Sequence, residues 1–494
     1  MATYRIPRTA LSVILCLLAA SPPLATQKPD LPRPERRTTL RGAPDHFPLG
    51  GLGAEVDVLT PGEASEKGVK SRGCVILMRK IFPAEPAHQA GLKPGDLVVS
   101  LGRRPLPKGK EEEVLAFLEE AIEQAEAKKH KKLLLGLFRG DKRESVEVTL
   151  PTLGAHSRSC PKDCKKCRTI LRRSLTYLVQ VQSGEGYWDS GSGGTNGKVA
   201  VTSLAGWALA AGARLGVSGG GEAVKKAVSY VLRNAGREPM LSRIDPAKGN
   251  WSQVNWALAY GTIFLCNIHG RRMPAKVRSK VADLVGQLAK NQEASGGWAH
   301  GPGGPNALGY LELEIVSNQA LLAFHLARRA GIQVPQEALE KGVRYVLACT
   351  SGGGVAYSTR PGQAGHGDPG RTAGAWLALD LLGMGPKRAT MVKFFIRGLE
   401  ELPRGHVSPV MHITAASLAC YRHGKGTTRR FWQSYRPYIM VSRTTAGAFG
   451  ARPTRETRVL KSNTDRNMGP YWTTANLALA MEAAMGMIPW LREK

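Results

Sequence analysis

Acidic residues and long apolar runs are both scarce in this sequence. Only 39 of its 494 residues are Asp or Glu, against 69 Lys and Arg, which gives a formal net charge of +30 at pH 7. The basic residues form no run interleaved with aromatic side chains, and no nucleic-acid-binding motif is present, which excludes a dedicated DNA- or RNA-binding function. No apolar run after the first 25 residues predicts a membrane span. The positive charge favours polyanionic partners such as an acidic polysaccharide.

The start of the chain has the pattern of an export signal. Arg5 and Arg8 precede a short apolar run at 10–20, which small residues and prolines follow. This pattern is typical of a secretory signal peptide. We therefore expect residues 1–25 to be a signal peptide and the protein to be secreted or periplasmic. Residues 26–45 are rich in Pro and charge and predict a disordered linker.

Residues 46–150 predict a small α+β domain. The segment 74–82 has strand composition, 111–129 predicts an amphipathic helix, and 132–150 predicts a hairpin. A short helix, a turn and an apolar strand are predicted between the first two of these segments, in AEPAHQAGLKPGDLVVSLGRRPL at 84–106, which includes the block AGLKPGDLVVSLGRRPL at 90–106. This order of elements and this block resemble a PDZ domain.

The loop Gly51-Leu52-Gly53-Ala54 is similar to the carboxylate-binding loop of the PDZ family, although Ala54 replaces that family's usual bulky residue. The resemblance implies that the C-terminus of a peptide or protein adds as a strand beside the loop. The N–H groups of the loop would hold its terminal carboxylate, and glycine allows that close approach.

Residues 151–168 form a Cys-rich junction. His156, Cys160, Cys164 and Cys167 have the spacing His-x₃-Cys-x₃-Cys-x₂-Cys. Three thiolates and one imidazole could hold a structural zinc ion. An exported chain favours a disulfide between two of the three cysteines, and reduced thiols are the third alternative. The sequence leaves all three open, with the disulfide preferred.

Residues 169–494 predict an all-α repeat domain. Six helices rich in small residues end at glycines spaced about 40 to 60 residues apart, which indicates repeat architecture. We count six pairs of an outer and an inner helix, and six such hairpins predict a closed (α/α)6 toroid. Ser317, Thr372 and Thr473 are expected to cap the N-termini of inner helices.

Two copies of the motif Gln-x₃-Gly-x-Trp open these repeats, at Gln182–Trp188 and Gln292–Trp298. With Gly249-Asn250-Trp251 and the variant GGGVAYS at 352–358, they resemble the toroids of terpenoid cyclases and protein prenyltransferases. The resemblance implies that Gln and Trp tie a loop to the next helix and have no catalytic role. The whole order of signal, PDZ-like domain and toroid is similar to that of secreted bacterial proteins.

The sequence lacks the motifs on which the activities of those two families depend. No Asp-x-Asp-Asp acid motif exists, and no Asp, Cys and His set matches the prenyltransferase zinc site. A third chemistry of α/α toroids is β-elimination of acidic polysaccharides by Asn, His, Tyr and Arg, for which Asn255, His366, Tyr310 and Arg371 are candidates by analogy.

Polar residues cluster in the loops that enter the inner helices, and these loops surround the mouth of a toroid. The candidate site residues are His300, Tyr310, Glu312, His366, Asp368, Arg371 and His412. His and carboxylates could act as acid and base while Arg holds an anion, or the same groups could merely cap helices. The favoured function is an exported binding or scaffold protein whose toroid holds an anionic glycan or lipid-like ligand. The alternative is an enzyme acting on an acidic polysaccharide, as a lyase, or on an isoprenoid-type substrate.

Overall fold

The fold is that of a computed structural model, which describes residues 46–237, 253–301, 311–360, 365–384, 388–405, 408–453 and 463–492. The expected signal peptide and linker, the Gly249-Asn250-Trp251 motif and Tyr310 lie outside the described residues. Within those residues, no helix has both the length and the apolar character that crossing a bilayer requires.

The first domain is an antiparallel sheet with three helices. Its strands pair in the order β1-β2-β3-β4-β6-β7, with the short β5 beside β4. The strands are β1 (Phe47–Leu49), β2 (Ala54–Leu59), β3 (Val75–Ile81), β4 (Leu97–Leu101), β5 (Arg104–Pro105), β6 (Lys132–Arg139) and β7 (Lys142–Thr149). The helices are α1 (Pro61–Glu66), α2 (Pro86–Gln89) and α3 (Glu111–Ala127). All of β4 is buried because neighbours cover it on both sides, and the apolar face of α3 is buried as its periodicity predicts.

Within the described residues, the second domain has two concentric sets of six helices. The inner helices are α5 (Gly194–Ala211), α7 (Val254–His269), α9 (Glu314–Arg329), α11 (Pro369–Leu381), α13 (Pro409–His423) and α16 (Pro470–Ala484). The outer helices are α4 (Lys165–Val181), α6 (Gly220–Asn234), α8 (Ala275–Lys290), α10 (Gln336–Ala348), α12 (Arg388–Arg397) and α14 (Lys425–Ser442). A short helix, α15 (Thr464–Met468), precedes α16. Each inner helix packs on the next, and α16 returns to pack on α5. The six hairpins therefore close into the expected toroid.

The two Gln-x₃-Gly-x-Trp copies are structural ties. The Gln182 amide donates to the carbonyl groups of Gly186 and Ala223, and the Gln292 amide donates in the same way to Gly296 and Ala338. The indoles of Trp188 and Trp298 are fully buried, and each donates to a carbonyl group of the preceding outer helix. Each copy thus joins its own loop to the next outer helix.

A further copy of this turn, at Arg443, Gly447 and Phe449, closes the ring. Gly447 follows Arg443 by four residues, as Gly186 follows Gln182. Its φ of 99° is positive, like the φ of 96° at Gly186. A Cβ atom added at Gly447 would lie 2.5 Å from the carbonyl oxygen of Arg173 in α4. Glycine is required at this position because the last loop must touch the first outer helix.

The three residues expected as N-caps lie about one turn inside their helices, so that prediction is wrong. The helices begin after Leu313, Asp368 and Gly469, so Ser317, Thr372 and Thr473 lie inside the first turn. The hydroxyl of Ser317 donates to the carbonyl group of Leu313 and accepts from the N–H of Trp298. The hydroxyl of Thr372 likewise donates to the carbonyl group of Asp368 and accepts from the N–H of Val355. These hydroxyls bond the incoming loop, which is a tertiary role that local capping preferences do not predict.

Aromatic and thioether side chains fill the lumen of the ring. Tyr260 projects from α7 and its hydroxyl donates to the sulfur of Met411 in α13, the opposite helix of the ring, at 3.4 Å. Trp256 stacks on Tyr260, and Trp472 meets it edge to face. At this level the toroid is therefore a packed core.

The sheet domain is docked firmly on the toroid. Val441, in the last turn of α14, is buried within the core of the sheet domain. The N–H of Gly50 donates to the carbonyl group of Val441 at 3.2 Å. Glu126 of α3 is fully buried between Lys166 at 2.8 Å and Arg443 at 2.6 Å. The interface therefore combines apolar packing with a buried, fully paired carboxylate.

Candidate functional site

Three of the predicted site residues converge at the rim where the inner helices begin. Asp368 precedes α11, Arg371 lies in its first turn, and His412 lies in the first turn of the neighbouring α13. His412 Nδ1 is 3.5 Å from Asp368 Oδ1. All three side chains are at least nine-tenths buried, so their charges lie close together away from bulk water.

The carboxylate of Asp368 has two roles. Its Oδ1 accepts a hydrogen bond from the N–H of Arg371 at 2.8 Å, which caps α11. Burial alone would raise the pKa of Asp368, but the charges of His412 and Arg371 and two backbone N–H donors hold it below its ordinary value. Arg371 also donates to the carbonyl group of His366 at 3.0 Å. Asp368 is therefore ionised at neutral pH.

Two glycines make room for the imidazole of His412. A Cβ atom at Gly405 would lie 2.1 Å from His412 Nδ1, and one at Gly370 would lie 2.4 Å from His412 Cγ. Both positions have ordinary φ angles, so the requirement for glycine comes from this close contact alone. The sequence therefore specifies the position of this ring through residues that carry no functional group.

Glu314, at the start of α9, is the fourth member of the cluster. It is fully buried and accepts from the amide of Asn318 at 3.1 Å. Burial raises the pKa of Glu314 to about 8, although Arg371 and Asn318 act in the opposite direction. The pKa values of Asp368 and Glu314 are thus shifted in opposite directions. Near neutral pH Asp368 is ionised and Glu314 is protonated.

A groove of about 680 Å³ opens beside Asp368 on the outer surface. Its walls are the turn at Gly352, the outer helix α12 and the 3₁₀ helix Leu399–Arg404. Its lining includes Gly367, Asp368, Thr390, Lys393, Phe394, Arg397 and Glu401. Lys393 and Arg397 are exposed, and neither forms an ion pair within the described part of the chain. Sequence reasoning missed both cations, and their signal is the i, i+4 spacing on the polar face of α12.

The other candidates stay near the rim without joining this cluster. His300 accepts from the indole N–H of Trp256 at 2.9 Å. Glu312 accepts from Ser295 at 3.0 Å, and the side chain of His366 is exposed. Among the described residues, the expectation of one convergent mouth is therefore corrected to a smaller cluster, because His300 and Glu312 are held by partners of their own. Tyr310 lies outside the described residues. Asn255 donates to the carbonyl group of Ala299, which is a structural tie.

A second, smaller cleft of about 160 Å³ lies between the sheet domain and the rim. Asp465 lines it and is held by the hydroxyl of Ser408, the indole of Trp472 at 3.1 Å and the N–H of Val410 at 3.1 Å. Burial raises the pKa of Asp465 to about 6, against these three donors. Its three donors identify Asp465 chiefly as a tie between two inner helices and their loops.

The expected peptide-binding loop is buried at the domain interface. Gly51, Leu52, Gly53 and Ala54 are all buried, and the guanidinium of Arg443 lies against Gly51. The N–H groups of Leu52 and Gly53 donate to carbonyl groups of the same turn, and that of Gly50 donates to the toroid. Strand β1 pairs with Ala54–Val56, on the edge that a ligand strand would need. The peptide-binding expectation is corrected, because the chain itself occupies the groove.

The four side chains of the Cys-rich junction come together. Nδ1 of His156 lies 3.4 Å from the sulfur of each of Cys160, Cys164 and Cys167. The three cysteines are free thiols, and the sulfurs of Cys160 and Cys167 are 3.1 Å apart. The preferred disulfide is therefore absent from the structure, and the cluster is a donor set of the kind that holds a metal ion.

A protein-family model described as "Domain of unknown function (DUF6288)" matches residues 168–485, nearly two thirds of the chain. The chain belongs to the DUF6288 family. The DUF6288 domain coincides with the toroid and contains Asp368, Arg371 and His412. It begins directly after the last cysteine of the junction, so the sheet domain and the cysteine cluster lie outside it.

No curated protein matches the sequence. Among solved structures, the DUF6288 protein is similar to the α-1,6-mannanase GH76A of Salegentibacter sp. HEL1_6, with 11% identity over 65% of this chain and 99% of that chain and a TM-score of 0.48. It is also similar to the type II terpene cyclase MstE from Scytonema, with 14% identity over 65% of this chain and 98% of that chain and a TM-score of 0.43. Both TM-scores are below 0.5, so the toroid is assigned from the contacts between its own helices.

Proposed function

We propose that the DUF6288 toroid binds an acidic glycan in the groove beside Asp368. The observation that carries this proposal is the pair of exposed cations, Lys393 and Arg397, on one face of α12. Both lie in the groove, and neither has an acidic partner within the described residues. Ammonium and guanidinium groups bind carboxylates through charge-assisted hydrogen bonds. A uronate unit offers such a carboxylate.

The rest of the groove suits a sugar. The carboxylate of Asp368 and the hydroxyl of Thr390 can accept hydrogen bonds from sugar hydroxyl groups, and the half-buried ring of Phe394 offers an apolar face. The positive charge of the whole chain would raise the local concentration of a polyanion. A lipid-like or isoprenoid ligand fits less well, because Tyr260, Trp256 and Met411 fill the lumen.

The proposal does not extend to peptide C-termini. Such a ligand needs free N–H groups at Gly51–Ala54 and a free edge on β2. Arg443, Val441 and β1 occupy those positions.

Catalysis on the same glycan is the second candidate. The charge of Arg371 acts on both Asp368 and Glu314, and the opposite pKa shifts of these two groups resemble a base and an acid prepared by their surroundings. Glu314 is fully buried, however, and does not line the groove. Binding without turnover is therefore the primary proposal.

Polygalacturonate is a suitable ligand for the test, and its fully methyl-esterified form is the neutral control. We expect calorimetry to detect binding of the acid form only. The double variant Lys393→Gln/Arg397→Gln should lose at least about tenfold in affinity, since two charge-assisted contacts disappear. The matched control is Lys425→Gln/Arg429→Gln, which removes an exposed pair with the same spacing from α14.

Three results would reject glycan binding at this groove: equal binding of the esterified polymer, an unchanged affinity in the double variant, or an equal loss in the control pair. New reducing ends or unsaturated products in the same samples would favour the catalytic candidate instead.

A further inference from the structure

The sulfur and nitrogen atoms of the Cys-rich junction are arranged around a common centre. The donor atoms of His156, Cys160, Cys164 and Cys167 all lie within 4.8 Å of one another. One imidazole nitrogen is equidistant, at 3.4 Å, from three sulfurs. A packing contact or a disulfide between two of the cysteines does not require these three nitrogen–sulfur distances to be equal. Coordination of one ion by all four atoms makes them similar.

The spacing fits a tetrahedral metal ion. An ion with sulfur at about 2.3 Å and nitrogen at about 2.0 Å separates sulfur from nitrogen by about 3.5 Å and sulfur from sulfur by about 3.8 Å. The sulfur–nitrogen distances of 3.4 Å match this geometry. The sulfurs of Cys160 and Cys167, at 3.1 Å, are closer than in such a site and well beyond the bonded distance of about 2.05 Å.

Groups around the donors hold them in position. Nε2 of His156 lies 3.0 Å from a carboxylate oxygen of Glu123 in α3, which is an ion-pair distance. A carboxylate behind a histidine is the usual outer partner of a metal-bound imidazole, because it leaves the other nitrogen free for the metal. The indole N–H of Trp432, in α14, donates to the sulfur of Cys160 at 3.2 Å. The N–H of Cys167 donates to the sulfur of Cys164 at 3.5 Å.

We infer that this cluster is a structural zinc site that joins the sheet domain to the toroid. Three thiolates and one histidine are a donor set that selects zinc, and four protein ligands leave no open position for a substrate. Three ligands come from the segment between β7 and α4, and Cys167 comes from the first turn of α4. Their outer partners come from α3 on one side and α14 on the other. The ion would thus fix the junction at the contact between the two domains.

Metal analysis of the full-length protein, purified without chelator, is the first test. We expect one zinc ion per chain after dialysis. The thiols of Cys160, Cys164 and Cys167 should resist alkylation until a chelator is added. A metal-free protein overturns the inference, whether peptide mapping then finds a disulfide in this cluster or three freely alkylated thiols.

Substitution identifies the site. Cys167→Ser should lose the zinc, whereas Cys266→Ser, a buried cysteine of the inner helix α7, should keep it. Retention of one equivalent by Cys167→Ser would place the ion elsewhere. Replacement of zinc by Co²⁺ in the wild type gives a second measurement that needs no variant. Intense visible bands of a tetrahedral thiolate complex are expected, and a weak octahedral spectrum would refute the inference.

Glu123→Gln tests the positioning role of the outer carboxylate without touching a ligand. Competition with a chelator should show zinc bound about 10-fold or more weakly, at unchanged stoichiometry. Glu120→Gln, on the exposed face of the same helix, is the control and should match the wild type. Equal affinities of the two variants would mean that Glu123 does not orient His156.

Discussion

The hydroxyl of Tyr260 donates a hydrogen bond to the sulfur of Met411 across the ring of inner helices, over 3.4 Å. The two residues belong to helices on opposite sides of the ring, so this contact blocks the lumen at its level. The toroid is therefore packed at this level, and the two clefts found among the described residues lie at its rim and on its outer surface.

Removal of the Tyr260 ring should open a cavity at the centre of the toroid. We expect Tyr260→Ala to lower the free energy of unfolding by about 3–5 kcal/mol, as truncation of large buried rings does. Tyr260→Phe removes only the hydrogen bond to sulfur and should cost about 1 kcal/mol. Urea denaturation of the two variants makes the comparison. Equal losses would mean that the hydroxyl, and not the ring, stabilises the lumen.

The domain interface depends on the buried carboxylate of Glu126. Glu126→Ala leaves Lys166 and Arg443 buried with no carboxylate between them, which should cost about 3–5 kcal/mol. The interface should also open more often, so limited proteolysis should cut the junction near 151–158 faster. Glu112→Ala, on the exposed side of α3, should change stability by no more than about 0.5 kcal/mol. Similar losses in both variants would contradict this role.

The ring itself could be predicted from the sequence because its repeats carry a tertiary pattern. Gln182 and Gln292 each recur with a glycine four residues later and a tryptophan six residues later, and the structure uses both copies as ties. The copy at Arg443, Gly447 and Phe449 escaped prediction because only the glycine and the spacing survive. Its arginine also pairs with Glu126 of the sheet domain.

The functional residues were harder to predict because local sequence does not encode what covers a surface. The loop at Gly51–Ala54 has the residues of a binding loop, yet Val441 and Arg443, far along the chain, bury it. Asp368, Arg371 and His412 do converge, since helix starts of neighbouring repeats share one rim. Lys393 was missed because an exposed lysine on an outer helix has no distinctive local context.

Glu119 should make the stability of the sheet domain depend on pH. Burial raises the pKa of Glu119 from 4.5 to about 8, with Arg443 acting against the shift. Below pH 4.5 the folded and unfolded states are both protonated there, so the folded state keeps its full stability. As pH rises to 8, the unfolded chain releases this proton and the folded one retains it, so stability falls.

Glu119→Gln removes this effect. Relative to the wild type, the variant should gain about 4 kcal/mol of stability between pH 5 and pH 9. Urea titrations at the two pH values measure the difference. Glu120→Gln serves as the exposed control and should follow the wild type. A constant difference between Glu119→Gln and the wild type would show that Glu119 ionises normally.

The two roles of Asp368 can be separated by two substitutions. Asn can still accept the hydrogen bond from the N–H of Arg371 and cap α11, but it carries no charge beside Arg371 and His412. At pH 7 we expect Asp368→Asn to lose about 1–3 kcal/mol, since the buried side chains of His412 and Arg371 lose the negative charge beside them. Asp368→Ala also loses the cap and should cost about 1 kcal/mol more.

The pH dependence of these losses distinguishes charge from capping. Because the pKa of Asp368 is held below its ordinary value, the charge stabilises the fold above about pH 4 and ceases to do so as pH falls through the lowered pKa. In urea titrations, the gap in unfolding free energy between wild type and Asp368→Asn should therefore narrow as pH falls through the lowered pKa of Asp368. The gap between Asn and Ala should persist, because the cap carries no charge in either variant. A gap between wild type and Asn that does not change with pH would mean that Asp368 acts on α11 alone, and the charged cluster under the groove would then lack its anion.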